Sequence, residues 1–239
     1  APQQELLEAV VAVGKPTVLV LLNGSAVAVT WAAEHVPAIL EGWYPGQAAG
    51  EAIADVLFGR VSPGGRLPIT FYRSADQLPP FDDYAMAGRT YRYFTRSPLF
   101  PFGHGLSYTT FAYGDVTVLA TVRAGDTVRV SVEVRNTGSR EGDEVVQLYV
   151  TDLDASVPVP VRTLVGFQRV TLDAGERRVV EFAIAPRHLS VITDAGTRVF
   201  EPGAFQLGVG GKQAGVEGVA DASTTDVRVA RFTLVDRSR

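Results

Sequence analysis

Up to about residue 75, apolar positions fall either at helical spacing or in short unbroken runs. Leu6, Leu7, Val10 and Val11 lie on one helical face and Gly14 follows as a stop, so 3–13 is predicted to be a helix. Residues 17–22 form a continuous apolar run ending at Asn23-Gly24-Ser25, the pattern of a strand buried on both faces of a parallel sheet. Residues 38–43 read as a second such strand. Residues 46–58 then read as a helix, with Ala49, Ile53, Val56 and Leu57 on one face and Gly59 past its end. This alternation implies a parallel α/β sheet. Two strands are too few to bury their own edges and faces, so the rest of the sheet is expected from chain upstream of Ala1.

From residue 115 the period becomes two. Val116 and Val118, then Val128, Val130, Val132 and Val134, occupy alternate positions, and 147–150, 178–184 and 204–209 continue the pattern. Turn signals stand at Asn136-Thr137-Gly138, Asp173-Ala174-Gly175 and Glu201-Pro202-Gly203. About seven strands with regular turns predict an antiparallel sandwich of immunoglobulin or fibronectin type. The chain has no Cys…Trp…Cys framework, which favours the fibronectin-like version. Between the halves, Phe81, Tyr84, Tyr91, Tyr93, Phe94, Phe100, Phe102, Tyr108, Phe111 and Tyr113 crowd one stretch. A flexible linker would be rich in Gly and Ser. The expected organisation is therefore a partial α/β sandwich (1–75), an aromatic-rich crossover packed on both domains (76–114) and an all-β fibronectin type III-like sandwich (115–239). Phe102→Ala is expected to cost roughly 3–5 kcal/mol if that ring is fully buried.

Composition narrows the function. The 239 residues allow one or two domains at roughly 150 residues each. Hydrophobic residues at 46% and charged residues at 20% exclude wholesale disorder. A net charge of −4 argues against a nucleic-acid partner, which a basic surface would attract. With no cysteine, disulfides, thiolate nucleophiles and cysteine-ligated metals are excluded. No apolar run approaches the roughly 20 residues needed to span a bilayer, so no membrane partner is expected. The chain opens on Ala1-Pro2 and its methionine is Met86. Trimming, a removed leader or a cut in a longer chain each fit; the unfinished sheet favours the cut, whether proteolytic or designed.

Candidate chemistry is sparse. Glu41 lies in an apolar strand beside Trp43 and Tyr44. A partly buried glutamate among aromatics suits a general acid, but it equally suits a strand-end carboxylate paired with an arginine or a backbone N–H. Trp43 and Tyr44 form either an aromatic sugar platform, at the strand end where such sheets place ligands, or a cap on the sheet core. Tyr84, Arg89, Tyr91 and Arg92 either line a cleft mouth, offering donors to hydroxyls, or stitch the crossover to both domains. Asp82-Asp83 point apart if extended, and Asp152 and Asp154 sit in a predicted sandwich turn. His35, His104 and His188 have no ligand spacing, so no metal is expected. Ser25 and Ser107 are in no nucleophile elbow, and no Walker-type or dinucleotide loop is present, so no cofactor is expected.

Four blocks, in this order, resemble the C-terminal portion of glycoside hydrolase family 3: Lys15 to Gly24; Trp43-Tyr44-Pro45-Gly46-Gln47 through Gly50–59 to Ser62-Pro63-Gly64-Gly65-Arg66-Leu67-Pro68; Gly88 to Phe94 with Pro98 to Tyr108; and Asn136-Thr137-Gly138, Gly142 to Val150 and Gly166 to Val170. The Gly88–Phe94 stretch looks most like the β-xylosidase and β-glucosidase branches. The resemblance implies a retaining, exo-acting β-glycosidase acting on oligosaccharides, with a barrel and the first half of the α/β sandwich on an N-terminal chain. It implies that the nucleophilic Asp and the acid/base Glu lie on that upstream chain. Neither motif matches a position here, so no catalytic residue is assigned. Substrate contacts are expected from Glu41, Trp43, Tyr44, Tyr84, Arg89 and Tyr91. Polysaccharide substrates imply a periplasmic or secreted enzyme, with the cytoplasm also open. A stand-alone, noncatalytic carbohydrate-binding or adhesion module is the alternative.

Overall fold

The computed structural model describes residues 2–237. The N-terminal part runs α1 (Pro2–Ala12), β1 (Val18–Leu21), α2 (Thr30–His35), β2 (Ala38–Glu41) and α3 (Ala49–Leu57). Strands β1 and β2 pair in parallel, Val18 beside Ala38 through Leu21 beside Glu41, with α2 in the crossover. Gly59 ends the α3 region with a left-handed φ of 71°, a conformation open to a residue without Cβ.

The sequence pattern reads β1 as buried on both faces, and that does not hold within this chain. No residue of α1, β1, β2 or α3 is buried, and Leu6, Val10, Val13, Val18, Leu22 and Phe58 are exposed. Two strands and three helices supply too little surface to cover one another.

The core lies in the C-terminal half. A short helix, α4 (Thr90–Tyr93), precedes β3 (Phe111–Tyr113), β4 (Thr121–Arg123), β5 (Val128–Asn136), β6 (Gly142–Asp152), β7 (Thr163–Leu172), β8 (Arg177–Ile184), β9 (Val191–Ile192), β10 (Arg198–Val199), β11 (Gly203–Gly210) and β12 (Val227–Val235). A five-stranded sheet of order β4-β12-β11-β6-β7 faces a three-stranded sheet β3-β5-β8, and β9 and β10 form a small separate pair. Among the described residues the sandwich thus has eight strands, against about seven expected. Val116 and Val118 contribute no named strand, since only Thr117 bridges to Ser131 there. In β5 the four alternate valines are buried, while Arg129 and Arg135 face outward. Each buried valine contributes about 1.5–3 kcal/mol by leaving water. They meet Val146, Leu148 and Val150 of β6, Leu172, Ile184, Leu207 and the stacked pair Phe205–Phe232.

The halves are joined through buried polar groups and rings. Arg66 reaches the fully buried Glu144 of β6, Nη2 to Oε2 at 2.5 Å, with both side chains almost wholly out of solvent. Tyr113 donates to Glu144 Oε1 at 2.7 Å, and Thr225 donates to the same oxygen. Arg140 donates to the carbonyl of Gly59, and Tyr108 to that of Val56. Asn136 donates to the carbonyls of Arg140 and Leu172 and accepts from Thr109 and from the N–H of Gly138, which accounts physically for Asn136-Thr137-Gly138.

Candidate functional site

A connected group of side chains stands at the C-terminal ends of β1 and β2. The Gly42 N–H donates to the Leu21 carbonyl, extending the parallel pairing past β2. Glu41, the last residue of β2, accepts the Trp43 N–H on Oε1 at 2.9 Å and Asn23 Nδ2 on Oε2 at 3.3 Å. Asn23 also donates to the Ser25 carbonyl, so its amide closes the turn after β1. Its Oδ1 is buried and takes no hydrogen bond within the described residues. Trp43 has φ of 50°, an outlier for a bulky side chain that costs about 1–3 kcal/mol and persists only where surrounding contacts impose it. Its ring meets Phe71 edge-on at 5.9 Å. Tyr44 is 83% exposed, and its ring lies where a Cβ on Gly24 would stand. The two strand-end loops therefore form one rim: the glycine makes room for the tyrosine, and the carboxylate ties the loops together.

Glu41 takes the strand-end pairing that the sequence offered as one of its two readings. Both its oxygens are engaged, one by a backbone N–H and one by an amide.

The other candidates are set apart from this rim. Arg89 donates from Nη2 to the carbonyls of Pro80 and Asp83 and from Nε to that of Ala85, so its guanidinium holds loop 80–89 together. Tyr91 stacks on Phe102 at 4.2 Å, meets Tyr149 edge-on at 6.1 Å and accepts the Leu164 N–H, which fastens the crossover to the sandwich. Tyr84 and Phe81 are more than 90% exposed, so the crossover is not packed along its whole length. Packing begins near Tyr91 and includes Phe94, Leu99, Phe111 and Tyr113. The Trp43 rim and the Arg89–Tyr91 stretch are linked through Phe71 and its neighbour Tyr72, whose hydroxyl accepts the Thr90 N–H. Thr90 is the second non-glycine residue with positive φ, at 52°. Asp82 and Asp83 are exposed, and Asp83 accepts the Ala85 N–H. Asp152 and Asp154 bind backbone N–H groups of Asp154 and Ala204, as turn carboxylates do. Burial raises the Asp152 carboxyl above its ordinary range.

The sequence reading passed over Asn23 as a turn residue and passed over Arg66 and Glu144. A signal for the last was present. Glu144 shares the inward register of Val146, Leu148 and Val150, where a charge must find a partner. Burial, reinforced by the negative charge of Glu144, pushes the Tyr113 phenol well up, so it stays a donor to that carboxylate. Among the described residues no group of three or more His, Asp or Glu is placed to hold a metal ion. No helix among them is long and apolar enough to cross a membrane.

Residues 1–108 match the family model of the glycosyl hydrolase family 3 C-terminal domain, and residues 144–213 match the fibronectin type III-like domain. A β-xylosidase of Formosa agariphila is 45% identical over 214 residues, covering 87% of this chain and 30% of the relative. A periplasmic β-glucosidase of Salmonella typhimurium is 43% identical over 228 residues, covering 90% and 30%. Among solved structures, a β-glucosidase from Erythrobacter marinus superposes with a TM-score of 0.83 at 42% identity, covering 98% of this chain and 30% of that one. The chain thus spans about a third of the length of the relatives it matches.

Proposed function

The chain belongs to glycosyl hydrolase family 3, whose C-terminal region it carries, and from that premise we propose that it completes a retaining, exo-acting β-glycosidase. The enzyme removes a terminal xylose or glucose from β-linked oligosaccharides. Residues 1–75 form the second half of the α/β sandwich, 76–114 the crossover and 115–239 the fibronectin-like brace. An upstream region supplies the barrel and the first half of the sandwich. It also supplies the two carboxyl groups, which a retaining mechanism needs roughly 5 Å apart as nucleophile and acid/base. This chain contributes no catalytic residue. It lends the cleft one wall, with Trp43 and Tyr44 toward the sugar and Tyr84 at the mouth, while Arg89 and Tyr91 shape the loop behind them. The enzyme is exported to the periplasm or the medium, as the name of the Salmonella relative suggests by analogy.

The observation that carries this reading is the contrast between halves. The sandwich buries a full core, whereas α1, β1, β2 and α3 bury none of their residues and leave a row of Leu and Val side chains open. Such a face calls for more of the same domain. The test follows hydrolysis of xylobiose, cellobiose and their tetrasaccharide counterparts by proton NMR, using a polypeptide that joins this chain to the upstream region. The first-released sugar is expected as the β-anomer. Release of the α-anomer, or cleavage inside longer chains in preference to their ends, would overturn the retaining or the exo-acting part respectively.

A further inference from the structure

We infer that Glu41 is a positioning residue, acting on the bound sugar through Trp43 and Tyr44 rather than touching it. This rests on the reading above that Trp43 and Tyr44 face the substrate. Four observations converge on it. The carboxylate is committed, with Oε1 on the Trp43 N–H at 2.9 Å and Oε2 on Asn23 Nδ2 at 3.3 Å. The residue it grips has φ of 50°, which a tryptophan does not keep without an outside hold. Tyr44 follows directly and reaches across to Gly24, next to Asn23, so both ends of the clasp bear on one ring. That ring is the part left in solvent: Tyr44 is 83% exposed, whereas Glu41, Asn23 and Trp43 are half-buried. A carboxylate spent on holding a strained backbone, beside an exposed aromatic at the end of parallel strands, sets the angle of a stacking surface.

The chemistry distinguishes the substitutions. Glu41→Gln keeps a side-chain oxygen for the Trp43 N–H but sets its amide NH2 against the donating Asn23 Nδ2, whereas Glu41→Ala keeps neither bond. In the polypeptide joining this chain to the upstream region, Glu41→Ala is expected to raise KM for xylobiose or cellobiose about tenfold with kcat little changed. Tyr44→Ala is expected to raise KM as well, the double variant to lose less than the two single losses combined, and Glu41→Gln to fall between wild type and Glu41→Ala. Equal losses in Glu41→Gln and Glu41→Ala would mean that the bond to the Trp43 N–H does nothing for the sugar, and would overturn the proposal. Additive losses in the double variant, or a lowered Tm with unchanged KM, would also overturn the proposal. A second arm needs no activity. With this chain alone in a Trp31→Phe background, Trp43 is the remaining tryptophan of the 239 residues, and its emission is expected to shift in Glu41→Ala and less in Glu41→Gln. If the wild type hydrolyses neither disaccharide, the glycosidase reading fails. The fluorescence arm still decides the clasp: an unshifted Glu41→Ala spectrum refutes it.

Discussion

His104 shows what the crossover's packing does to one residue. Its ring stacks on Phe100 at 5.2 Å, and its Nδ1 is buried without a hydrogen bond among the described residues. Burial pushes the imidazole down to about 4; the Arg66 guanidinium and Lys212 add to this, and Asp221 opposes them. The folded state thus holds His104 neutral, while the unfolded chain takes up the proton near pH 6.5. Stability from this group is fully present above pH 6.5 and is lost as pH falls toward 4, by of order 3 kcal/mol. Urea denaturation at pH 7.5 and 4.5 measures it, and His104→Phe is expected to flatten the difference. Phe102, two residues earlier, is half-buried rather than enclosed and stacks on Tyr91. Phe102→Ala is therefore expected to cost about 2 kcal/mol, less than full burial would give, and thermal denaturation checks it. The presence of the ring was legible in the sequence. How far it is buried was not, because its stacking partner Tyr91 is itself held by Tyr149 and Leu164, on strands more than 40 positions away.

At the scale of elements, strand β6 carries the join between the halves. Glu144 on its inward face answers Arg66 from the Pro63–Pro68 turn region, with Tyr113 and Thr225 completing its partners. Arg66→Met leaves a buried carboxylate with two neutral donors and is expected to destabilise by about 3–5 kcal/mol in chemical denaturation. A loss below about 1 kcal/mol would show a solvated pair. Gly211 stands against the same carboxylate, where a Cβ would run into Glu144 Oε1 and Thr225 Oγ1. Gly211→Ala is expected to loosen the join to a similar degree and, like Arg66→Met, to speed proteolysis of the segment between the halves. Elements with an unbroken period were legible: α1, α3, β1, β2 and the valine strand β5 lie within a few residues of their expected bounds. Helix α2 was not read, since six residues are too few to establish a helical period. Strand β12 was not read either, because Ala230-Arg231 interrupts its alternation and its place is fixed by pairing with β11 and β4. Val116 and Val118 show the converse, alternation without enough partners to make a strand.

For the whole molecule, the division into an α/β part and a β-sandwich was legible from the change of period, and the resemblance in four motif blocks is now matched by two domain families. The candidate rim was less legible. Sequence brought Glu41, Trp43 and Tyr44 together by adjacency, but Asn23 joins them only because β1 and β2 pair in parallel. The open apolar face of α1, β1 and α3 accords with the fact that the chain spans about a third of its relatives. On the proposed function, this chain serves a glycosidase only when that face is covered by the upstream region. The direct measurement compares hydrolysis of nitrophenyl β-xyloside and β-glucoside by the purified chain alone and by the chain joined to that region. Nitrophenol release is predicted from the joined polypeptide and not from the chain alone. Comparable release by the chain alone, shown by mass to be a single species, would contradict the account.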